Sequence, residues 1–234
     1  MTPVVDLLEF ESLSHTYAWD GVRVPSVTTV IRPLEAYSRM SEEMLRPYAE
    51  RGTAVHTLTE VWDTTGEQPE DMDPSLAGYL KAWIDFRTDH EFQPIAIEQR
   101  LYHGGRGFAG TIDRVGRVRG RISVVDIKTS AKLGPAIGVQ LAGYKELWNW
   151  NERRDEHAYG RYAVQLMADG TYRLMEYDCP LDVAVFWGCL DIHNWLEEVK
   201  SNHKVLIPDV RPRVAESDES QWPRFEITNA RKGN

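Results

Sequence analysis

Cysteine is scarce in this 234-residue chain: Cys179 and Cys189 are the only two. Two thiols cannot hold a four-thiolate iron–sulfur cluster, so none is expected, and no His or second Cys sits at zinc-site spacing. Both are expected to be buried small residues. No apolar run approaches the roughly 18 residues a membrane span needs. The start, Met1-Thr2-Pro3-Val4-Val5-Asp6, lacks a basic segment followed by a long apolar one, so the expected location is cytoplasmic. A Gly-x-x-x-x-Gly-Lys-Ser/Thr phosphate loop is also missing, which excludes a motor of that type. There is no internal repeat, and no linker divides the chain.

What remains is ordinary globular composition, 42% hydrophobic and 27% charged. A net charge of −9 argues against a broad nucleic-acid coat. The distribution is uneven. Residues 100–132 hold eight Lys/Arg (Arg100, Arg106, Arg114, Arg117, Arg119, Arg121, Lys128, Lys132) against two acids. That segment is +6 and leaves −15 elsewhere; its only acids are Asp113 and Asp126.

The first half reads as a hairpin and helices. Ser14–Trp19 and Val22–Val24 flank an Asp20-Gly21 turn, and Ser26 can cap a short helix from Val27 to Ile31, stopped by Pro33. Ser41 opens a helix toward Glu50, another runs from Thr53 to about Asp63, and Pro74 begins a fourth. Strands then follow at Ile95–Tyr102, Phe108–Val118 and Arg121–Lys128. A helix follows Gly134-Pro135 to about Arg153, with strands at Tyr159–Met167 and Tyr172–Tyr177. Asp182 caps a last helix to about His203. This order predicts one α/β (α+β) domain over 1–207, with the hairpin and helices in 1–90 and a core in 91–207. The Pro- and charge-rich stretch 208–234 is expected to be an irregular tail.

The chemistry concentrates on one hairpin. If Arg119-Gly120 is a two-residue loop, Val118 faces Arg121, and Asp113 falls opposite Asp126 with Cβ atoms about 4.5–5.5 Å apart. A bulge at Gly116 would slip this register. Period two puts Val124, Asp126 and Lys128 on one face. Facing carboxylates repel unless a positive charge lies between them, and a hard divalent cation supplies it. The alternative is a surface Asp–Lys ladder, which fits poorly beside the apolar Val124-Val125.

Asp113 followed by Asp126-Ile127-Lys128 resembles the Asp…(Asp/Glu)-X-Lys signature of the PD-(D/E)XK nuclease superfamily. Gly110-Thr111-Ile112-Asp113 and Val125-Asp126-Ile127-Lys128-Thr129-Ser130 resemble its RecB-like exonuclease branch, in the stand-alone phage or bacterial form. Arg51-Gly52-Thr53-Ala54-Val55-His56 is similar to that branch's His-bearing helix, and Gln140-Leu141-Ala142-Gly143-Tyr144 to its Gln-X-X-X-Tyr motif.

The resemblance implies a restriction-endonuclease-like core: a central mixed sheet whose three-strand antiparallel meander is flanked by helices. It implies His56, Asp113, Asp126 and the Ile127 carbonyl as ligands of Mg²⁺, or of Mn²⁺ given the imidazole. Lys128 and Glu98 complete the catalytic group, while Gln140, Tyr144, Arg51 and Arg106 face nucleic acid. Glu60, one turn beyond His56, either orients the imidazole or is plain helix surface. Glu98 could instead pair with Arg100, and Tyr144 could pack in the core. The implied partner is DNA, with no membrane; a homo-oligomer or a recombination partner protein stays open. The implied activity is a metal-dependent DNA exonuclease in recombination or repair. A structure-specific endonuclease, a non-catalytic DNA-binding subunit and a hydrolase of another substrate are the alternatives.

Overall fold

A computed structural model describes residues 7–11, 14–35, 42–152 and 154–202. The chain divides into two compact units, Met1–Leu196 and Glu197–Asn234. Of the second, only residues 197–202 are described, so the expected boundary at 207 and the tail from 208 lie outside the described residues. No described helix is long and apolar enough to cross a membrane.

The chain opens with a three-stranded antiparallel sheet: β1 (Leu8–Glu11), β2 (Thr16–Trp19) and β3 (Val22–Val24). Asp20 and Gly21 both have positive φ, 50° and 72°, as a two-residue primed hairpin turn requires. The hairpin matches expectation; β1 is an addition to it. Ser26 caps α1 (Val27–Glu35), its Oγ accepting the Thr29 amide at 3.0 Å. Pro33 does not stop this helix but lies inside it, because Val27, Val30 and Ile31 bury one face completely and hold the turn.

Helix α2 (Glu42–Thr65) is a further correction. The sequence predicts two helices broken at Gly52, yet one helix of 24 residues runs through both Pro47 and Gly52. A glycine costs a helix interior only about 1 kcal/mol, which packing of Val55 and Leu58 outweighs. Gly52 also faces Thr129, just beyond the end of the hairpin strand 121–128. Ser41, the expected cap, lies outside the described residues. After a 3₁₀ turn at Pro74–Leu76 capped by Asp73, α3 (Ala77–Asp89) buries Tyr79, Ala82, Trp83 and Phe86 at helical spacing.

The main sheet is mixed, with strands in the order β4 (Gln93–His103), β5 (Phe108–Val118), β6 (Arg121–Lys128), β7 (Gly160–Leu166), β8 (Tyr172–Glu176). Strands β4, β5 and β6 form the antiparallel meander, and β6 pairs parallel with β7 through α4 (Ala136–Asn151). The last helix is α5 (Leu181–Asn202). Asp182 does not cap it; its Oδ2 accepts from Arg161 Nη1 at 2.9 Å. One apolar cluster joins α1, α4 and α5 to the sheet through Ile112, Val115 and Val124. The other joins α2 and α3 to it through Val118, Val125 and Ile127. Strand β6 is buried on both faces, so its apolar run is continuous rather than alternating. Cys189 is buried as expected, but Cys179 is exposed.

The hairpin register is as the two-residue loop dictates: Val118 pairs with Arg121 and Arg114 with Val125. Arg119 and Gly120 supply the positive φ values, 49° and 80°. Gly116 makes no bulge against β6; the register shift is on the other side of β5, between Pro94 and Ala96. A Cβ at Gly116 would meet the Gln93 carbonyl and the Phe92 ring at 2.5 Å. Backbone cannot give way as a flexible side-chain tip can. Gly116→Ala is therefore expected to destabilise the protein by roughly 1–3 kcal/mol in urea unfolding. A change below a few tenths would show that the strands there are looser than described.

Candidate metal centre and its lysine

The site forms where the pairing of β5 with β6 ends. The ladder stops at Arg114–Val125, one step before Asp113 would face Asp126. Instead, Asp113 Oδ2 accepts the Ile127 amide at 2.7 Å. The same point breaks the alternation of β5. Ile112 and Val115, three apart, pack in the same cluster, while Arg114 bonds Asp63 on α2. On the neighbouring strand, between Ile97–Arg114 and Gln99–Ile112, Glu98 has φ +46°. A non-glycine residue there is strained, and such strain is retained where surrounding contacts over-determine it.

Helix α2 delivers His56 to this break. His56 Nδ1 lies 3.5 Å from Glu98 Oε1 and 3.7 Å from Asp113 Oδ1, and Nε2 lies 3.1 Å from the Ile127 carbonyl. Ligand atoms of His56, Glu98 and Asp113 all fall within 4.8 Å of one another. With Nε2–H donating to Ile127, Nδ1 is the nitrogen offered toward the carboxylates. The Ile127 carbonyl, rather than Glu60, orients the ring.

Asp126 stands beside this trio but is not part of it. Its buried Oδ2 is 2.9 Å from Lys128 Nζ, without hydrogen-bond geometry. Lys128 Nζ also donates to Gln140 Oε1 at 3.2 Å, and Gln140 Nε2 donates to Tyr144 Oη at 3.3 Å. Gln140 and Tyr144 are each only 6% exposed, so they hold Lys128 from the core side of α4 and offer no open stacking face. An imidazole and three carboxylates, one of which keeps a buried Oδ2 outside hydrogen-bond geometry with its neighbouring ammonium, suit a divalent cation with mainly hard donors.

Other expected residues are placed differently. Arg51 Nη2 donates to the Thr129 carbonyl at 3.2 Å, and its guanidinium lies over the rings of Tyr48 and Tyr79. It tethers α2 to the chain just after Lys128. Arg106 is in the β4–β5 turn, five residues of strand or about 17 Å from Asp113. It lies over Trp187 and 3.6 Å from Asp191 on α5. Arg100 does not pair with Glu98 but lies over Phe10. Arg114, counted among the basic residues, is completely buried and contacts Glu98 Oε1 at 3.0 Å. Sequence reasoning missed Asp63, to which Arg114 bonds. The available signal was its position seven residues after His56, two turns along the same helix face.

Burial opposes a charge on His56, but Asp113, Glu98 and Asp126 outweigh it and raise its pKa to about 9. Burial raises Asp126 to about 6 despite Lys128, with Asp113 adding to the rise. Burial and the same two aspartates push Tyr144 well above its ordinary value. Protons thus take positions a cation would contest. A raised His56 adds stability below pH 6.5 and loses it as the pH rises through about 9. A raised Asp126 likewise favours the fold at acid pH, and that contribution falls from about pH 3.8 through about 6. Titration of metal-free protein by NMR is expected to place the His56 imidazole near pH 9, and Mg²⁺ at pH 8 to displace its proton. An imidazole titrating at 6.5 without metal would contradict this charge arrangement.

The model of the PD-(D/E)XK nuclease superfamily matches residues 34–224. No curated protein matches the chain. Among solved structures, LHK-Exo in complex with dAMP is similar at 13% identity and a TM-score of 0.36, over 76% of this chain and 94% of that one. The alkaline exonuclease LHK-Exo from Laribacter hongkongensis is similar at 14% identity and a TM-score of 0.36, over 74% and 92%. With the mixed sheet, its meander and the Asp113…Asp126-Ile127-Lys128 hairpin in place, the chain belongs to the PD-(D/E)XK nuclease superfamily.

Proposed function

We propose that this chain is a metal-dependent DNA nuclease, an exonuclease of recombination or repair, contained in residues 1–207. The observation that carries the reading is the convergence of His56, Glu98 and Asp113 beside Asp126 and Lys128. His56 through Nδ1, Asp113, Asp126 and Glu98 would hold Mg²⁺ or Mn²⁺, and the Ile127 carbonyl, expected as a further ligand, instead accepts from His56 Nε2. When bound, the cation supplies charge neutralisation at the phosphate and acidifies water.

The chain's own groups do the rest. Lys128, held by Asp126 and Gln140, orients the attacking water and offsets the negative charge that develops on phosphorus-bound oxygen. Tyr144 and Gln140 act through Lys128, keeping its ammonium in place rather than reading bases. The basic turns offer phosphate contacts away from the acidic centre: Arg106 at one, Arg117, Arg119 and Arg121 at the other.

End-labelled linear duplex should be degraded with Mg²⁺ or Mn²⁺, covalently closed circles should survive, and chelation should stop the reaction. Nicking of circles would favour an endonuclease, and tight binding without cleavage a non-catalytic subunit. Lys128→Ala is expected to lower kcat by about 10²–10³-fold with little change in DNA affinity. Cleavage by that variant at the wild-type rate would refute the role given to Lys128.

A further inference from the structure

Arg114 and Asp63 form a charged pair in which neither side chain is exposed. Arg114 Nε donates to Asp63 Oδ2 at 2.6 Å, and Nη2 to Thr59 Oγ1 at 3.2 Å, so two contacts go to α2. Its Nη1 turns to the other side, donating to the Asp113 carbonyl at 2.6 Å and to Glu98 Oε1 at 3.0 Å. Asp63 is held in turn: its Oδ1 accepts from Trp83 Nε1 at 3.0 Å and from Arg87 Nη1 at 2.5 Å. Trp83 also lies under the Arg114 guanidinium.

Burying such a pair is a poor route to stability, because desolvation of both ions opposes their attraction and apolar residues of similar volume do as well. Its placement is informative. Arg114 touches the residues that carry the break in β4 and β5, Glu98 and Asp113. Through Thr59 and Asp63 it grips the helix that carries His56 on the same face. Glu98 Oε1, which Arg114 holds, is the oxygen nearest His56 Nδ1. A planar guanidinium can span both sides at once, whereas an ammonium cannot.

We propose that Arg114, backed by Asp63, is a positioning residue that fixes Glu98 and the Asp113 backbone against the His56 helix and so sets the metal affinity of the site. This rests on the metal-dependent reading above. Arg114 does not touch substrate, and it contributes nothing to a phosphate-binding surface.

The test is Mn²⁺ binding followed by electron paramagnetic resonance on the full chain, for the wild type and three variants. Arg114→Lys keeps the charge but loses the span. The double variant Asp63→Asn with Arg114→Gln removes both charges together, which is the gentler change if the single variant does not fold. Arg87→Gln is the control, since Arg87 bonds Asp63 but neither Glu98 nor Asp113. Folded Arg114→Lys or the double variant should bind Mn²⁺ about 10–100-fold more weakly. Arg87→Gln should melt earlier yet bind within about twofold of the wild type. Wild-type affinity in the folded Arg114 variants overturns the proposal, as does an equal loss in Arg87→Gln. Absence of Mn²⁺ binding by the wild type itself would instead overturn the metal-dependent reading on which the proposal stands.

Discussion

Asp113 sits where β5 and β6 stop pairing, and its carboxylate takes the Ile127 amide that a continued ladder would have given to the carbonyl of Ile112. That single exchange has several consequences. It ends the ladder without leaving a buried amide unsatisfied. It engages the Asp113 carboxylate with the Ile127 backbone of the facing strand rather than with the Asp126 carboxylate. It also coincides with the left-handed Glu98 on the adjacent strand, which turns a second carboxylate to the same place. Three carboxylates in a largely buried position repel one another, and the molecule answers with His56 on one side and Lys128 on the other.

The two helices contribute in opposite ways. Helix α2 brings a group that can exchange its proton for a metal, oriented by the Ile127 carbonyl. Helix α4 brings Gln140 and Tyr144, whose buried polar ends hold Lys128 in place, while Arg114 backs the Glu98 carboxylate from behind. The basic segment 100–132 is accordingly not one surface. Arg114 is interior, Arg100 and Arg106 lie over aromatic rings, and Arg117, Arg119 and Arg121 gather at a turn roughly 14–20 Å along the strands from Asp126.

Much of this was legible in the sequence, for local reasons. The ends of β5 and β6 follow from turn chemistry at Arg119-Gly120, and the hairpin register follows from the length of that loop. The approach of His56, Asp113, Asp126 and Lys128 was readable from the resemblance of their motifs, together with that register. What escaped depends on contacts distant in sequence. Gly52 looked like a helix break because the packing that overrides it comes from outside α2. Gly116 looked like a bulge, but it is small because Gln93 of β4 and Phe92 just before it press on it. Arg114 looked like one more phosphate-binding arginine because Asp63, fifty-one residues earlier, is what buries it. The left-handed backbone at Glu98 has no sequence signal at all, since glutamate rarely adopts it.

The central claim is that the gap between β5 and β6 is a cation site. Anomalous diffraction from crystals soaked in Mn²⁺ tests it most directly. The account predicts a strong peak enclosed by His56 Nδ1, Glu98 and Asp113, with Asp126 on its open side and Lys128 adjacent. A peak that avoids these side chains, or none at saturating Mn²⁺ with the carboxylates still clustered, would contradict it.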